Sequence, residues 1–526
     1  MNLSMKSFME RCLMLPQRRD YFADAKLRII ATAVLGIWLA GVIFTATRHE
    51  FCRDEVRAFS LARAAVSPLD LFPLLRNEGH PLLWYVLLYI GKSIVNTPLV
   101  LPVTSIAIAF IAVAIFIFFS PFPFWLRCLF IFGVLPFYEY SVVARNYGIS
   151  MSLLFASAAL WGKRSRHPML LAVVLGLLAN TNVHSAMLVC LIAALWTWDL
   201  FMKKRTASIQ VWNLSLCLAF VVIFAGILLC VLVAIPHADS IVTSLNSLNA
   251  RKLGNSLVKA AFHPGKKFYE PWGFPSWLAS LLIWIALLGL LPRPNLFVVG
   301  FAAQIALGVF FYVIYGGDIW HQGLLFIFLI FLYWLFIEST QPTAVTKGRC
   351  LLFNFGLYVG MLALLLGSLR IAKKTVQSDI RSEASSSKAF GAFLKSSAIY
   401  REAMLVPEPD YFIESLPYYA NNRIYFPREH RFGTTVSFTT AADRLCSLGK
   451  LLAQARVLKT TEKQPVLIVL GHSEVGGNGL HKKNFSYNKV FTWSFDEIED
   501  FKKSTVMVAE FNSSYGDENY RVYVVK

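Results

Sequence analysis

The sequence predicts a polytopic α-helical membrane protein of about eleven spans, followed by a C-terminal extracytoplasmic α/β domain. Three observations predict it. Of 526 residues, 56% are hydrophobic and only 15% charged, and the mean hydropathy is +0.55, beyond the range of soluble domains. Runs such as "IIATAVLGIWLAGVIFTA", "LSLCLAFVVIFAGILLCVLVAI" and "LLFNFGLYVGMLALLLGSL" approach or reach the ~20 apolar residues that cross a bilayer as helix. Beyond Arg370, strand-like "PVLIVLG", "STVMVAEF" and "YRVYVV" alternate with helical "TAADRLCSLGKLLAQARVL".

The first apolar run follows Lys6, Arg11, Arg18, Arg19, Lys26 and Arg28, like the basic start of a signal peptide, but no small-residue cleavage site follows it. It is expected to stay as a span, with residues 1–28 cytoplasmic. Basic clusters at Lys163–His167, Lys203–Arg205 and Thr346–Arg349 are expected inside, and the candidate spans between them are even in number. The polar break Thr181–His184 then puts His184 outside. Pro81–Val95 is short for a span and carries Lys92, so it reads as an interfacial helix anchored by Trp84, Tyr85 and Tyr89. Residues 48–97 thus form one external loop, and "YEYSVVARNYG" also falls outside. The expected division is a transmembrane domain over 29–371 and an external domain over 372–526, joined through the low-complexity "SEASSSKA".

Net charge is +19, and its distribution is uneven. Up to residue 371 there are 29 Lys and Arg against 14 Asp and Glu; beyond it, 21 against 17. The excess in the membrane half argues for loop orientation and for anionic lipid or phosphate ligands, and against nucleic acid. The eight cysteines are scattered, with Cys52 and Cys446 expected outside, and show neither a disulfide framework nor zinc-ligand spacing.

Polar residues that could carry chemistry recur in the external segments. "RDEVRAFSLA" sets Asp54 and Glu55 side by side just past the first span, where a carboxylate can act as general base or accept sugar hydroxyls. Neighbouring side chains on a helix diverge, so one of the two is expected to be the base; a solvated face paired with Arg53 and Arg57 is the plainer alternative. "LRNEGHPLLWYVLLY" adds Glu78 and His80 ahead of Pro81. "YEYSVVARNYGIS" holds Glu139, Arg145 and Tyr147, and an Arg at such a depth suits a phosphate, which it grips with two parallel hydrogen bonds. A Glu139–Arg145 ion pair is the plainer reading there. Further on, His321 follows Asp318 in "GGDIWHQG", and Lys266 and Lys267 lie in "HPGKKFYEPW"; each could neutralise a lipid-linked phosphate, although a loop lysine pair is more often merely solvated. "GHSEVGGNG" has the spacing of neither phosphate-binding glycine fingerprint and reads as a turn.

In this order the segments resemble the GT-C superfamily of membrane glycosyltransferases, which includes protein O-mannosyltransferases and aminoarabinose lipid A transferases. The resemblance rests on the acidic pair in "RDEVRAFSLA", the His-Pro and aromatics of "HPLLWYVLLY", and the Ala-Arg-x-Tyr that ends the second external segment; it covers the first half of the chain. It implies a GT-C-like fold and an inverting glycosyltransferase in the cytoplasmic membrane. The sugar would move from a polyprenyl-phosphate-linked donor to an extracytoplasmic glycan, lipid or protein acceptor. By the same resemblance Asp54 is the expected base, Glu55 its neighbour, Glu139 a second acid, and Arg145 with Tyr147 the phosphate-binding segment. The second segment lacks the Asp that oligosaccharyltransferase subunits use with a metal, so no cofactor is expected and a divalent metal is not favoured.

Two other classes fit part of the pattern. A flippase or transporter for a lipid-linked glycan would also be polytopic and basic, but should show internal repeats and mid-membrane polar residues. A glycan polymerase or ligase would differ mainly in using a diphosphate-linked donor.

Overall fold

The computed structural model describes residues 24–207, 213–241, 249–339, 346–471, 475–477 and 479–526. The basic residues at positions 6–19 lie outside the described residues, as does part of the glycine-rich stretch at 471–479 read as a turn. Seven of the described helices are long and apolar enough to cross a membrane. They are α1 (Ala25–Arg48), α4 (Val100–Phe119), α8 (Val183–Ala207), α9 (Leu214–Ala234), α12 (Pro294–Val313), α13 (Ile319–Ser339) and the run from α14 (Lys347–Phe355) through a π-helical turn to α15 (Leu362–Arg381). Shorter apolar helices lie between them: α5 (Phe124–Ile131), α6 (Tyr147–Trp161), α7 (Pro168–Ala179) and α11 (Ser276–Leu288). The chain is a multi-pass helical membrane protein.

The first helix begins at Ala25, because the Asp24 carboxylate accepts the backbone N–H groups of Lys26 and Leu27 at 3.0 and 3.3 Å and caps it. The last continues past Lys373 and Lys374 to Arg381. Within the bundle α13 is central, with every side chain from His321 to Ile337 buried.

Between α1 and α4 lie α2 (Arg53–Ala64) and α3 (Leu83–Ile94). At 12 residues α3 is about 18 Å long, too short for a ~30 Å hydrocarbon core. Its aromatics are not interfacial anchors as a group. Trp84 and Tyr85 are buried against α2, and only Tyr89 stays at the rim, donating its hydroxyl to Val66 O at 2.9 Å.

The C-terminal domain holds a mixed six-stranded sheet in the order β3-β2-β1-β5-β9-β8, with β1 (Met404–Glu408) parallel to β2 (Ile424–Phe426) and β5 (Val466–Gly471). The antiparallel neighbours are β3 (Arg431–Gly433), β8 (Thr505–Phe511) and β9 (Tyr520–Val525). A second sheet joins β4 (Leu445–Ser447), β7 (Val490–Trp493) and β6 (His481–Asn484). All three strand-like runs are strands, but the expected helix is shorter than its sequence signal. Residues 440–447 make a turn and β4, and α17 (Leu448–Glu462) starts only where Ser447 Oγ caps Lys450 N–H at 3.1 Å.

The serine run is no linker. Ser385, Ser386 and Ser387 are fully buried. Ser385 and Ser415 donate to Glu518 Oε2 at 2.5 and 2.7 Å, and Ser387 Oγ lies 2.6 Å from Ser415 Oγ and 2.7 Å from the Tyr520 hydroxyl. These hydroxyls lead straight into α16 (Ser387–Ser396), so the passage from membrane helix to sheet is part of the core.

Candidate functional site

The charged start of α2 sends its four side chains three ways, as 100° per residue requires. Arg53 and Arg57, one turn apart, face the C-terminal domain. Arg53 binds Asp517 bidentately at 2.7 and 2.8 Å. Arg57 meets Glu78 at 2.5 and 2.9 Å, donates to Val436 O at 2.8 Å, and is hydrogen-bonded to Glu414. Glu55 turns inward, where it accepts the N–H groups of Ala144 and Cys52 at 2.7 and 3.0 Å and contacts His49 Nε2 at 3.2 Å. Asp54 points into a cavity that Arg57 also lines, and of the two only Asp54 keeps half its side chain exposed there.

His49 completes the inner cluster. Its Nδ1 lies 3.1 Å from Asp379 and 3.2 Å from the Tyr138 hydroxyl, while Nε2 faces Glu55. Burial works against its charge, but the two carboxylates win and raise its pKa to about 10. For Glu55 burial is again the largest influence and pushes the pKa up; His49 and the two backbone donors outweigh it, and the net shift is downward. Glu55 is therefore a buried carboxylate that pins the backbone at Ala144, one residue before Arg145.

The segment that carries Arg145 is shaped by its neighbours. A π-helical turn at Leu135–Glu139, closed by Tyr140 N–H to Leu135 O at 2.8 Å, ends α5, and the chain then folds back tightly before α6. Gly148 makes the return possible: a Cβ there would lie 2.5 Å from Tyr140 O. Arg145 emerges with its Nη1 2.8 Å from Asp54 Oδ2 and its guanidinium 4.6 Å from the centre of the Trp320 ring. Burial tends to raise the Asp54 pKa, but Arg145 and then Arg53 pull harder, and it stands below the ordinary value.

The cavity into which Asp54 faces has a volume of about 340 Å³. Its wall takes in Glu78, His80, Arg145, Tyr147 and His321, so six of the sequence-predicted residues meet in one place. His321 Nδ1 accepts the Asp318 N–H at 3.0 Å, which leaves the ring proton on Nε2. The pKa of His80 is lowered, first by burial and then by Arg145, so the ring is held neutral.

The remaining predicted residues lie elsewhere. Glu55 belongs to the His49 cluster. Glu139 is buried in the π turn outside the cavity wall, and Arg145 is paired with Asp54 in its place. Lys266 lines a separate cavity with Lys259, Tyr269 and Tyr312, and Lys267 Nζ lies 3.3 Å from Gly316 O. The separation follows from α12, whose Phe310 faces the Asp54 cavity while Tyr312, two residues on and 200° round the helix, faces the other.

Several wall residues carry no motif. His184 is buried with neither ring nitrogen hydrogen-bonded in the structure, its ring 5.2 Å from that of His321. The polar break Thr181–His184 was its only signal. Phe438 and Tyr487 reach the cavity from the C-terminal domain, more than 290 residues beyond Arg145, and no local pattern announces them. Among the described residues no group of three or more His, Cys, Asp or Glu side chains is placed to hold a metal ion.

No family model matches the chain, and no curated protein matches it. Among solved structures it is similar to crystal structures of ArnT from Cupriavidus metallidurans. The apo state gives a TM-score of 0.47 and the state bound to undecaprenyl phosphate 0.44; each is 11% identical and covers 95% of this chain and 98% of that one.

Proposed function

We propose that the chain is a GT-C-type inverting glycosyltransferase that moves a sugar from a polyprenyl-phosphate-linked donor to an extracytoplasmic acceptor. The observation that carries this reading is the meeting of Asp54 and Arg145, 91 residues apart, inside one cavity at the end of the helical bundle. Transfer from a lipid phosphate needs both a cation on the leaving group and a carboxylate for the attacking hydroxyl.

Asp54 takes the proton of the acceptor hydroxyl while its oxygen attacks the anomeric carbon. The bond from that carbon to the phosphate oxygen breaks, and its electron pair leaves with the phosphate. Arg145 and the Nε2–H of His321 hold the resulting anion. The ion pair also gates the base: a donor phosphate that takes Arg145 frees Asp54 from the cation that lowers its pKa. Its pKa then rises, and Asp54 becomes a stronger base only once the donor is in place.

The test uses purified protein in proteoliposomes with polyprenyl-phosphate sugars and a total extract of cell-envelope lipids and glycans as the source of acceptor, reading release of polyprenyl phosphate. Asp54→Asn and Arg145→Ala should each lower the rate by at least about 100-fold with the thermal midpoint retained. Full activity in both variants sinks the assignment.

A further inference from the structure

The C-terminal domain supplies part of the cavity wall. Phe438 and Tyr487 both line it, their ring centres 4.7 Å apart and their planes 37° from each other. Phe438 is fixed from both sides of the domain boundary. Arg57 stacks over its ring at 4.2 Å, its carbonyl accepts Ile241 N–H at 3.1 Å, and Thr440 N–H bonds Asp239 O at 2.7 Å. Tyr411 stands edge-on to Tyr487 at 5.4 Å. The result is a rigid aromatic surface opposite the helical bundle.

Tyr487 sits in an unusual backbone. Lys489 N–H bonds Ser486 O at 3.4 Å, closing a turn whose two central residues, Tyr487 and Asn488, have φ of 61° and 56°. Positive φ at both positions is the type I′ pattern, which selects Gly, Asn or Asp. A bulky aromatic in the first of them is an outlier. The residue nevertheless remains 39% exposed and lines the cavity.

We propose that Tyr487, backed by Phe438, forms a stacking platform for the glycosyl ring of the donor, so that the C-terminal domain is a wall of the sugar subsite. The inference rests on the transferase reading. A pyranose presents one face of C–H bonds with partial positive charge, which match the negative face of an aromatic ring, and an edge of hydroxyls. With the phosphate on Arg145, the attached ring extends past Asp54 to the platform. Its hydroxyl edge then meets the Asp54 carboxylate and the His80 imidazole, which line the same cavity.

Tyr487→Asn separates the platform from the fold, because Asn tolerates the left-handed conformation better than Tyr and keeps the turn. Binding of two kinds of probe to the full-length protein is compared: bare polyprenyl phosphate, and polyprenyl phosphates carrying a hexose or an N-acetylhexosamine. Wild type should bind at least one sugar-bearing lipid more tightly than the bare one. Tyr487→Asn should weaken that binding about tenfold, leave the bare lipid unchanged, and keep or raise the thermal midpoint; Tyr487→Phe should behave as wild type. Equal losses for both probes, no loss for either, or no preference for any sugar in wild type each overturn the platform. Failure of wild type to bind even the bare lipid would instead remove the transferase reading beneath it.

Discussion

Arg57 and Glu414, 357 residues apart, are hydrogen-bonded across the junction of the helical bundle and the C-terminal domain, with side-chain exposures of only 10% and 2%. Arg53 makes a second cross-junction pair, one turn earlier, with Asp517; there the exposures are 25% and 53%. Geometry alone would rank the bidentate Arg53 pair higher, but solvent decides the energies.

Removing Arg57 leaves Glu78 and Glu414, with side chains only 5% and 2% exposed, without their shared cation, which should cost about 3 kcal/mol, whereas Arg53→Ala should cost no more than about 1 kcal/mol. Limited proteolysis checks this: Arg57→Ala should release a fragment containing the sheet domain, and Arg53→Ala should digest like wild type. Equal sensitivity of the two variants would contradict the ranking.

The pH dependence of transfer should report on the gate. Asp54 must be ionised to accept a proton, so activity falls as pH drops through its pKa. In the free protein Arg145 holds that pKa below the ordinary carboxylate value. In the donor complex the phosphate competes for Arg145 and the pKa rises. The acid limb of kcat should therefore lie at higher pH than that of kcat/KM, since the former reports the complex and the latter the free enzyme. Coincident limbs would argue that the phosphate does not displace Asp54.

Stability should depend on pH through His49. Its folded pKa of about 10 exceeds the ordinary 6.5, so its contribution is complete below 6.5 and lost as pH rises to about 10. The depressed pKa of Glu55 acts in the opposite sense, with its contribution present above the ordinary Glu value and lost in acid. Thermal midpoints of wild type should fall between pH 7 and 10, and His49→Gln should start lower and change less over that range. A midpoint in His49→Gln that falls as steeply as in wild type would assign the loss to other groups.

Gly148 offers a test that touches no reacting group. A methyl there collides with Tyr140 O, so Gly148→Ala should shift the fold-back segment and misplace Arg145. Transfer should drop about 100-fold, the scale of a misplacement of about 1 Å. Unchanged kinetics would show that the segment can yield without moving the guanidinium.

Much of this arrangement is legible in the sequence because the bilayer imposes strong rules. Apolar length marks the helices, and charge at their ends marks "RDEVR" and "ARNY" as unusual. Adjacent residues on a helix cannot share a target, which singles out one member of the Asp54–Glu55 pair but not which one. What decides between them is Ala144 N–H, a backbone donor 89 positions away. Lys266 and Lys267 look equivalent to Arg145 as cations and are separated from it only by the rotational phase of α12. Tyr487 and Phe438 depend on how a sheet domain docks, which no periodicity encodes. The serine run misleads for a related reason: hydroxyl-rich composition suits a solvated tether until a buried carboxylate, Glu518, arrives from the far end of the chain.

That buried serine run bears on how such a protein could be divided. Its hydroxyls find their acceptors on Glu518 and their neighbours at Ser415 and Tyr520, so severing the chain there would strand polar groups on both pieces at once. The run therefore travels with the sheet, and any graft of that sheet onto another membrane carrier would have to be spliced upstream of Ser385.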